Sequence, residues 1–210
     1  MNDLDHTRRA YDTVADAYAA ALPDAAYEAP EDLALIERFL ATTPRDARIL
    51  DAGCGTGRMI DLIISARPDA MVLGVDASAA MLAHARVRHP RFDFITGELA
   101  TLPFPDAVVD GILAWYSVIH TAPAELGEVI AELARVLAPG GHLLLGFQAG
   151  EGVRELTHAY GHDVDLRAYL HSAAAVGALA VEAGLQIVEA TERLPRSTET
   201  HPQGFVLARR

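Results

Sequence analysis

Residues 49–58, Ile-Leu-Asp-Ala-Gly-Cys-Gly-Thr-Gly-Arg, run an apolar stretch into three alternate glycines, Gly53, Gly55 and Gly57. Glycines let a backbone turn sharply and approach a ligand closely, and free N–H groups at the start of a following helix favour an anionic group. A dinucleotide loop would space its glycines Gly-x-Gly-x-x-Gly. Here the third glycine arrives one residue early and an acid, Asp51, ends the strand, which argues against NAD and FAD. Nineteen residues beyond Gly57, a second apolar run at 72–75 ends in Asp76. A carboxylate at that place can accept from both hydroxyls of a ribose, so loop and acid together define an adenosine-type cofactor site.

The elements that must hold these groups follow from the alternation around them. Strands are expected at 48–51, 71–75, 92–96, 109–114 and 142–147, and helices at 57–66, 78–87 and 125–137, each helix with an apolar face at helical spacing. This is the pattern of a parallel sheet with helices on both faces. Two further helices, 5–21 and 30–41, precede the first strand, separated by a Pro-containing break. After Phe147 the alternation stops, and the Gly/His/Asp-rich residues 148–171 read as a long lid or substrate loop without a sustained period. A helix at 172–183, stopped by Gly184, and strands at 186–193 and 205–208 complete the chain. The joint 195–204 is too short for a helical crossover, so those two strands should pair antiparallel. The expectation is one α/β domain over 1–210, a Rossmann-like doubly wound sheet of about seven strands, mostly parallel with the last strand antiparallel. Its parts are N-terminal helices over the cofactor (1–45), a cofactor-binding core (46–147), the lid (148–171) and a C-terminal helix with the antiparallel strand pair (172–210).

The glycine loop and Asp76 resemble the first two motifs of class I S-adenosylmethionine-dependent methyltransferases of the small-molecule type. Further segments resemble the family in its order. Gly97-Glu98-Leu99, followed by Leu102-Pro103-Phe104, resembles the segment whose polar residue meets the adenine amino group, with Glu98 where the family usually has Asp. Residues 109–117, ending Ala114-Trp115-Tyr116-Ser117, resemble the fourth strand, whose end lies beside the methyl group, and residues 137–141 resemble the turn into the fifth. Tyr11 and Tyr18 stand as in the family's Tyr-x-x-x-Ala-x-x-Tyr helix, whose tyrosines often close over the methionine end. The resemblance implies binding of S-adenosyl-L-methionine, with S-adenosyl-L-homocysteine as product. The residues it assigns to the cofactor are Tyr11, Tyr18, Asp51, Gly53, Cys54 and Gly55, then Arg58, Asp76, Ala77 and Met81, and finally Glu98, Leu99, Ala114, Trp115 and Tyr116. A spacing of seven also suits two tyrosines that merely dock the helix, so both readings stand for that pair.

Methyl transfer is largely positional, because the sulfonium already activates the methyl group. An acceptor with a proton to lose can also call for a base, and His120, just past the fourth strand, is the first candidate; packing against the cofactor or capping residues 121–124 is its other reading. Trp115 and Tyr116 stand at the carboxyl end of a central strand, where open α/β sheets bind ligands, and are expected in the substrate pocket, Trp115 with a core role as its alternative. The lid holds the densest polar cluster, with His158, Tyr160, His162 and Arg167 as substrate candidates beside Asp163 and Asp165. His171, ahead of a helix capped by Ser172, and His142, opening a strand, read as structural.

Composition narrows the partners. The net charge of −12 and the absence of a basic run exclude a nucleic-acid surface and favour a neutral or cationic small substrate. The nine histidines are scattered without ligand spacing, so no metal is expected, and the single cysteine, Cys54, reads as a small apolar filler. No apolar run approaches the ~20 residues of a membrane span, and the acidic start Met1-Asn2-Asp3 is unlike a signal peptide, so a cytoplasmic protein with no membrane partner is expected. The apolar N-terminal helices suggest a homodimer surface. Two other classes are weaker. A regulatory or non-methylating protein would keep the cofactor, whereas a protein or RNA methyltransferase would show an Asn/Asp-Pro-Pro-Tyr type motif or a basic surface.

Overall fold

The computed structural model describes residues 3–210. Its main sheet has seven strands in the order β3-β2-β1-β4-β5-β9-β8, with β1 Arg48–Ala52, β2 Met71–Asp76, β3 Asp93–Thr96, β4 Val109–Trp115, β5 Leu137–Gln148, β8 Gln186–Arg193 and β9 Gln203–Arg209. Only β9 runs antiparallel to its neighbours, pairing Gln148 with Gln203 on one side and Gln186 with Arg209 on the other. The fold is α/β and Rossmann-like, as the alternation implied.

Successive side chains on a strand point to opposite faces, and both faces here are covered. Leu50, Ile112, Leu143 and Leu145 pack under α5 (Leu126–Val136) and α6 (Ala173–Glu182). Ile49, Val72, Leu113 and Leu144 pack under α2 (Pro30–Thr42), α3 (Ile60–Ala66) and α4 (Ala79–Arg88). Helix α5 shows the cause plainly: Leu126, Val129, Ile130 and Leu133 recur at helical spacing and are all buried. Each such side chain contributes about 1.5–3 kcal/mol when taken out of water.

Several boundaries differ from the sequence expectation. Helix α3 begins at Ile60 rather than Gly57, because Gly57 sits at φ +73, outside the right-handed helical region. Strand β5 starts at Leu137 rather than at 142, with an irregularity against Val109 to Gly111 of β4. The largest correction concerns residues 148–171, which are not an irregular loop. They carry a β-hairpin, β6 Val153–Ala159 and β7 His162–Tyr169, closed by Tyr160 and Gly161. Both turn residues have positive φ, +51 and +82, the requirement of a type I′ turn. On β7, Val164, Leu166 and Ala168 form the inward face at period two.

Helix α1 (Asp3–Ala21) lies between α4 and the hairpin. Val14 and Ala15 pack with Met81 of α4, and Val164 of β7 joins them. Asp12 accepts from the Ser78 hydroxyl at 2.6 Å and Asp16 meets His84 at 2.8 Å, while Asp3 accepts from Tyr169 at 2.6 Å on the hairpin side. The apolar faces of α1 and α2, expected as a dimer surface, are thus turned inward. No helix among the described residues is long and apolar enough to cross a membrane. No group of three or more His, Cys, Asp or Glu among them is placed to hold a metal.

Candidate active site

The carboxyl ends of β1, β2, β4 and β5 and the amino end of the antiparallel β9 meet along one edge of the sheet. Over that edge, roofed by α1 and the hairpin, opens a cavity of about 1070 Å³, larger than the ~300–1,000 Å³ of an ordinary small-molecule pocket.

At its floor the glycine loop leaves β1 with Gly53, Gly55 and Gly57 all at positive φ. A Cβ on Gly53 would lie 2.2 Å from that of Ser117, whereas a Cβ on Gly55 would meet nothing within 4 Å and would project into open space. Asp76 closes the loop from β2. Its carboxylate accepts from the backbone N–H of Gly55 and of Ser78, each at 2.8 Å, one per oxygen. A carboxylate has about four lone-pair sites, so each oxygen retains capacity for a ligand hydroxyl. Burial raises the Asp76 pKa above the ordinary carboxylate value against the pull of those N–H groups. Asp51, 1% exposed, has one carboxylate oxygen buried without a partner among the described residues. Burial, opposed by Arg58 and reinforced by Asp76, pushes it up to about 7. Two desolvated acids around a glycine loop suit a ligand that brings hydroxyls and positive charge.

Arg58 of the loop pairs with Glu28 at 2.6 Å, both nearly buried. Tyr18 stacks edge-on against Tyr11 at 6.2 Å and against Tyr160 of the hairpin turn at 5.1 Å, so three tyrosines from two elements wall one side. At the end of β4, Tyr116 is held at φ +55, a conformation that costs a bulky residue about 1–3 kcal/mol and that clusters at functional sites. Its N–H is fixed by Gly146 O at 2.8 Å. Trp115 stacks on Phe205 at 5.5 Å and lies across Gly146, where a Cβ would strike its ring at 2.7 Å. It therefore serves the core and the cavity wall at once, and its indole N–H has no partner among the described residues.

His120 is engaged on both nitrogens. Nδ1 lies 2.6 Å from the Arg167 carbonyl, which can only accept, so Nδ1 carries the proton. Nε2, 2.9 Å from the Tyr11 hydroxyl, then accepts from it. Burial pulls the imidazole down to about 4, opposed by the Arg167 bond. It is neutral at pH 7, weakly basic, and already occupied.

Of the residues expected at the cofactor, Tyr11, Tyr18, Gly53, Gly55, Arg58 and Asp76 line the cavity. So do Ala77, Met81, Glu98, Leu99, Trp115 and Tyr116. Asp51, Cys54 and Ala114 lie behind that wall, and burial raises the Cys54 thiol pKa well above its usual range. The lid candidates divide. Tyr160 lines the cavity; His158 and His162 do not, and His158 faces Asp163 at 3.2 Å on the exposed hairpin. Arg167 turns its side chain to Asp3 at 3.1 Å and offers the site only its carbonyl. His171 packs edge-on to Phe147, and Ser172 accepts from Ala175 N as the cap of α6. Sequence reasoning missed Glu28, Arg154, Gln148 and the segment 198–200 on the cavity wall. Glu28 and segment 198–200 lie in connections with no periodicity to place them, but the inward alternation of β6 could have indicated Arg154.

Residues 49–141 match the family described as a methyltransferase domain. The chain is similar to S-adenosylmethionine-dependent methyltransferases. It is 40% identical over 97 residues to a probable S-adenosylmethionine-dependent methyltransferase of Mycolicibacterium smegmatis, covering 46% of this chain and 36% of that one. It is 37% identical over 116 residues to a trans-aconitate 2-methyltransferase of Methylobacterium nodulans, covering 53% and 42%. The match thus spans less than half the length of these curated relatives. Among solved structures, magnesium protoporphyrin IX methyltransferase from Synechocystis PCC 6803 with bound SAH superposes over 100% of both chains, with a TM-score of 0.75 and 20% identity. The spare lone pairs of Asp76 and the open space beside Gly55 fit an adenosyl cofactor such as those relatives use, with Asp51 buried just behind them.

Proposed function

We propose that this chain binds S-adenosyl-L-methionine and transfers its methyl group to a small acceptor, releasing S-adenosyl-L-homocysteine. The observation that carries the reading is the Asp76 carboxylate. Locked to the glycine loop by two backbone N–H groups, it presents its remaining lone pairs to a cavity that continues past Tyr116 toward β5 and β9. Asp76 would hold the ribose hydroxyls and Glu98 the adenine amino group, with Arg58 and Tyr18 at the methionine end. Acids at Asp51 and Asp76 favour a cationic ligand electrostatically.

The bound cofactor supplies an activated methyl on a sulfonium. The chain supplies position and dryness: α1 and the hairpin roof the cavity, and Tyr11, Tyr18 and Tyr160 shut one wall. His120 holds Tyr11 in place rather than taking a substrate proton, since its Nε2 is filled by the Tyr11 hydroxyl. Acceptors that are nucleophilic without an enzymic base fit this site best. The test is calorimetry with S-adenosyl-L-homocysteine, followed by transfer of labelled methyl to a panel of phenols, amines and carboxylates. Failure to bind S-adenosyl-L-homocysteine overturns the cofactor assignment; tight binding without transfer to any panel member overturns the methylation reading in favour of a regulatory one.

A further inference from the structure

The cationic side chains on the cavity wall are not equivalent. Arg58 is matched by Glu28 at 2.6 Å, and Arg8 by Asp5 at 3.0 Å. Arg154, on the inward side of β6, has no carboxylate within ion-pair distance among the described residues; one guanidinium nitrogen donates to Gln148 Oε1 at 2.7 Å. Guanidinium has five N–H donors in a rigid fork suited to carboxylates, and a single bond to a neutral amide orients that fork while leaving most of it unused. Gln148 ends β5 and pairs in register with Gln203 of β9, so Arg154 hangs over the β4–β5–β9 end of the cavity. That is the end away from Asp76 and Glu98, where the acceptor must lie.

The acids at this end are already neutralised. Glu28 has Arg58. Glu199 is held by Arg193 at 2.6 Å and by Arg196 at 2.8 Å, and those bonds keep its carboxyl near 2. Arg193 also grips Asp32 through two bonds of 2.7 and 2.6 Å. The chain's net charge of −12 disfavours anions at long range, but screening confines that field to about 10 Å at ordinary salt. Among the cations on the cavity wall, Arg154 is the one left without a carboxylate among the described residues; the wall's unpaired acids include Asp76 and Glu98 at the other end and Glu125 and Glu128 of the α5 start.

Resting on the methyltransferase reading above, we infer that the acceptor is a carboxylate-bearing small molecule, anchored by the Arg154 guanidinium as Gln148 holds it in place. Arg154 is then a specificity residue that selects the substrate class and turns the acceptor's other end toward Tyr116.

The experiment uses the full chain loaded with S-adenosyl-L-homocysteine. Malonate, trans-aconitate, benzoate and cinnamate, each beside its uncharged amide, are titrated to millimolar concentration into wild type, Arg154→Gln and Arg154→Lys. At least one carboxylate should bind wild type and outcompete its amide, lose about 10- to 100-fold in Arg154→Gln, as for a charge-assisted bidentate pair, and recover part of that in Arg154→Lys. S-adenosyl-L-homocysteine affinity should be the same in all three proteins, which also reports that the variants are folded. Binding of no carboxylate, equal binding of acid and amide, or equal binding to Arg154→Gln overturns the inference. So does a matching loss of S-adenosyl-L-homocysteine affinity in Arg154→Gln, which would make Arg154 a partner of the cofactor's own carboxylate. Failure of wild type to bind S-adenosyl-L-homocysteine at all is a different result and strikes the cofactor reading instead.

Discussion

Asp76→Asn is the sharpest perturbation of the proposed cofactor site, because it keeps the shape and removes the charge. In the native protein the two carboxylate oxygens each accept one backbone N–H at 2.8 Å, from Gly55 and Ser78. An asparagine oxygen can keep one of these, but its NH2 group then faces the other N–H, which costs about 1–3 kcal/mol. Against that, the buried carboxylate is itself under strain from desolvation, which raises its pKa from 3.8, and a neutral amide relieves it. The two effects oppose each other, so unfolding in urea should shift by less than about 2 kcal/mol. Ligand binding has no such compensation. Two ribose hydroxyls donating to an ionised acceptor contribute about 1.5–3 kcal/mol apiece, and the variant keeps at most one weakened bond. The expected fall in S-adenosyl-L-homocysteine affinity is roughly 100-fold, about 2.8 kcal/mol. Calorimetry measures it directly. A ligand lacking one ribose hydroxyl completes a double-mutant cycle: it should bind wild type worse than the parent ligand, yet bind Asp76→Asn almost equally. Affinity within about threefold of wild type, or a deoxy ligand that loses as much in the variant as in wild type, with coupling under ~0.5 kcal/mol, would refute the assignment of Asp76 to the ribose.

The glycines of the loop should separate folding from binding by degree: Gly53→Ala adds a clash at 2.2 Å from Ser117 to its left-handed strain and should destabilise the chain by more than about 3 kcal/mol, while Gly55→Ala, left-handed but facing open space, should cost only about 1–2 kcal/mol and lower cofactor affinity. Comparable urea midpoints for the two would contradict this. For His120, burial holds the folded imidazole at about 4 against 6.5 when exposed, so the unfolded chain binds the extra proton between those values. Stability from this residue is therefore full above pH 6.5 and lost as pH falls toward 4, and His120→Gln should flatten that part of the stability profile while leaving transfer rates without a histidine limb between pH 6 and 8 or so. Arg193→Ala leaves the Asp32 carboxylate, 1% exposed, unpaired beside Glu199 and should cost about 3–5 kcal/mol in urea unfolding; a change below ~1 kcal/mol would show that the network is not a folding element.

The cofactor end was legible because its constraints are local. Gly53, Gly55 and Gly57 need positive φ, Asp76 must end a strand, and β-branched or leucine runs must alternate with helical periods, all of which a short window of sequence displays. The acceptor end was legible only in part, for a physical reason: its walls come from segments joined across the fold rather than along it. The hairpin hid behind the polarity of its residues. Its outward positions, such as Glu155 and Asp163, are exposed and drown the alternation of Leu166 and Ala168, while the turn uses Tyr160 at φ +51 where asparagine or aspartate would have announced it. The same residue sets its ring 5.1 Å from that of Tyr18, so the side chain that concealed the turn is the one that walls the site. His120 shows the complementary limit. Its position after β4 marks it as a base by type, but basicity depends on partners 47 and 109 residues away, the Arg167 carbonyl and the Tyr11 hydroxyl. With both nitrogens hydrogen-bonded, His120 fixes the Tyr11 side of the tyrosine wall, and the proposed reaction assigns it no proton transfer. In the inference drawn above, selecting the acceptor falls to Arg154, a cation the motifs do not mention.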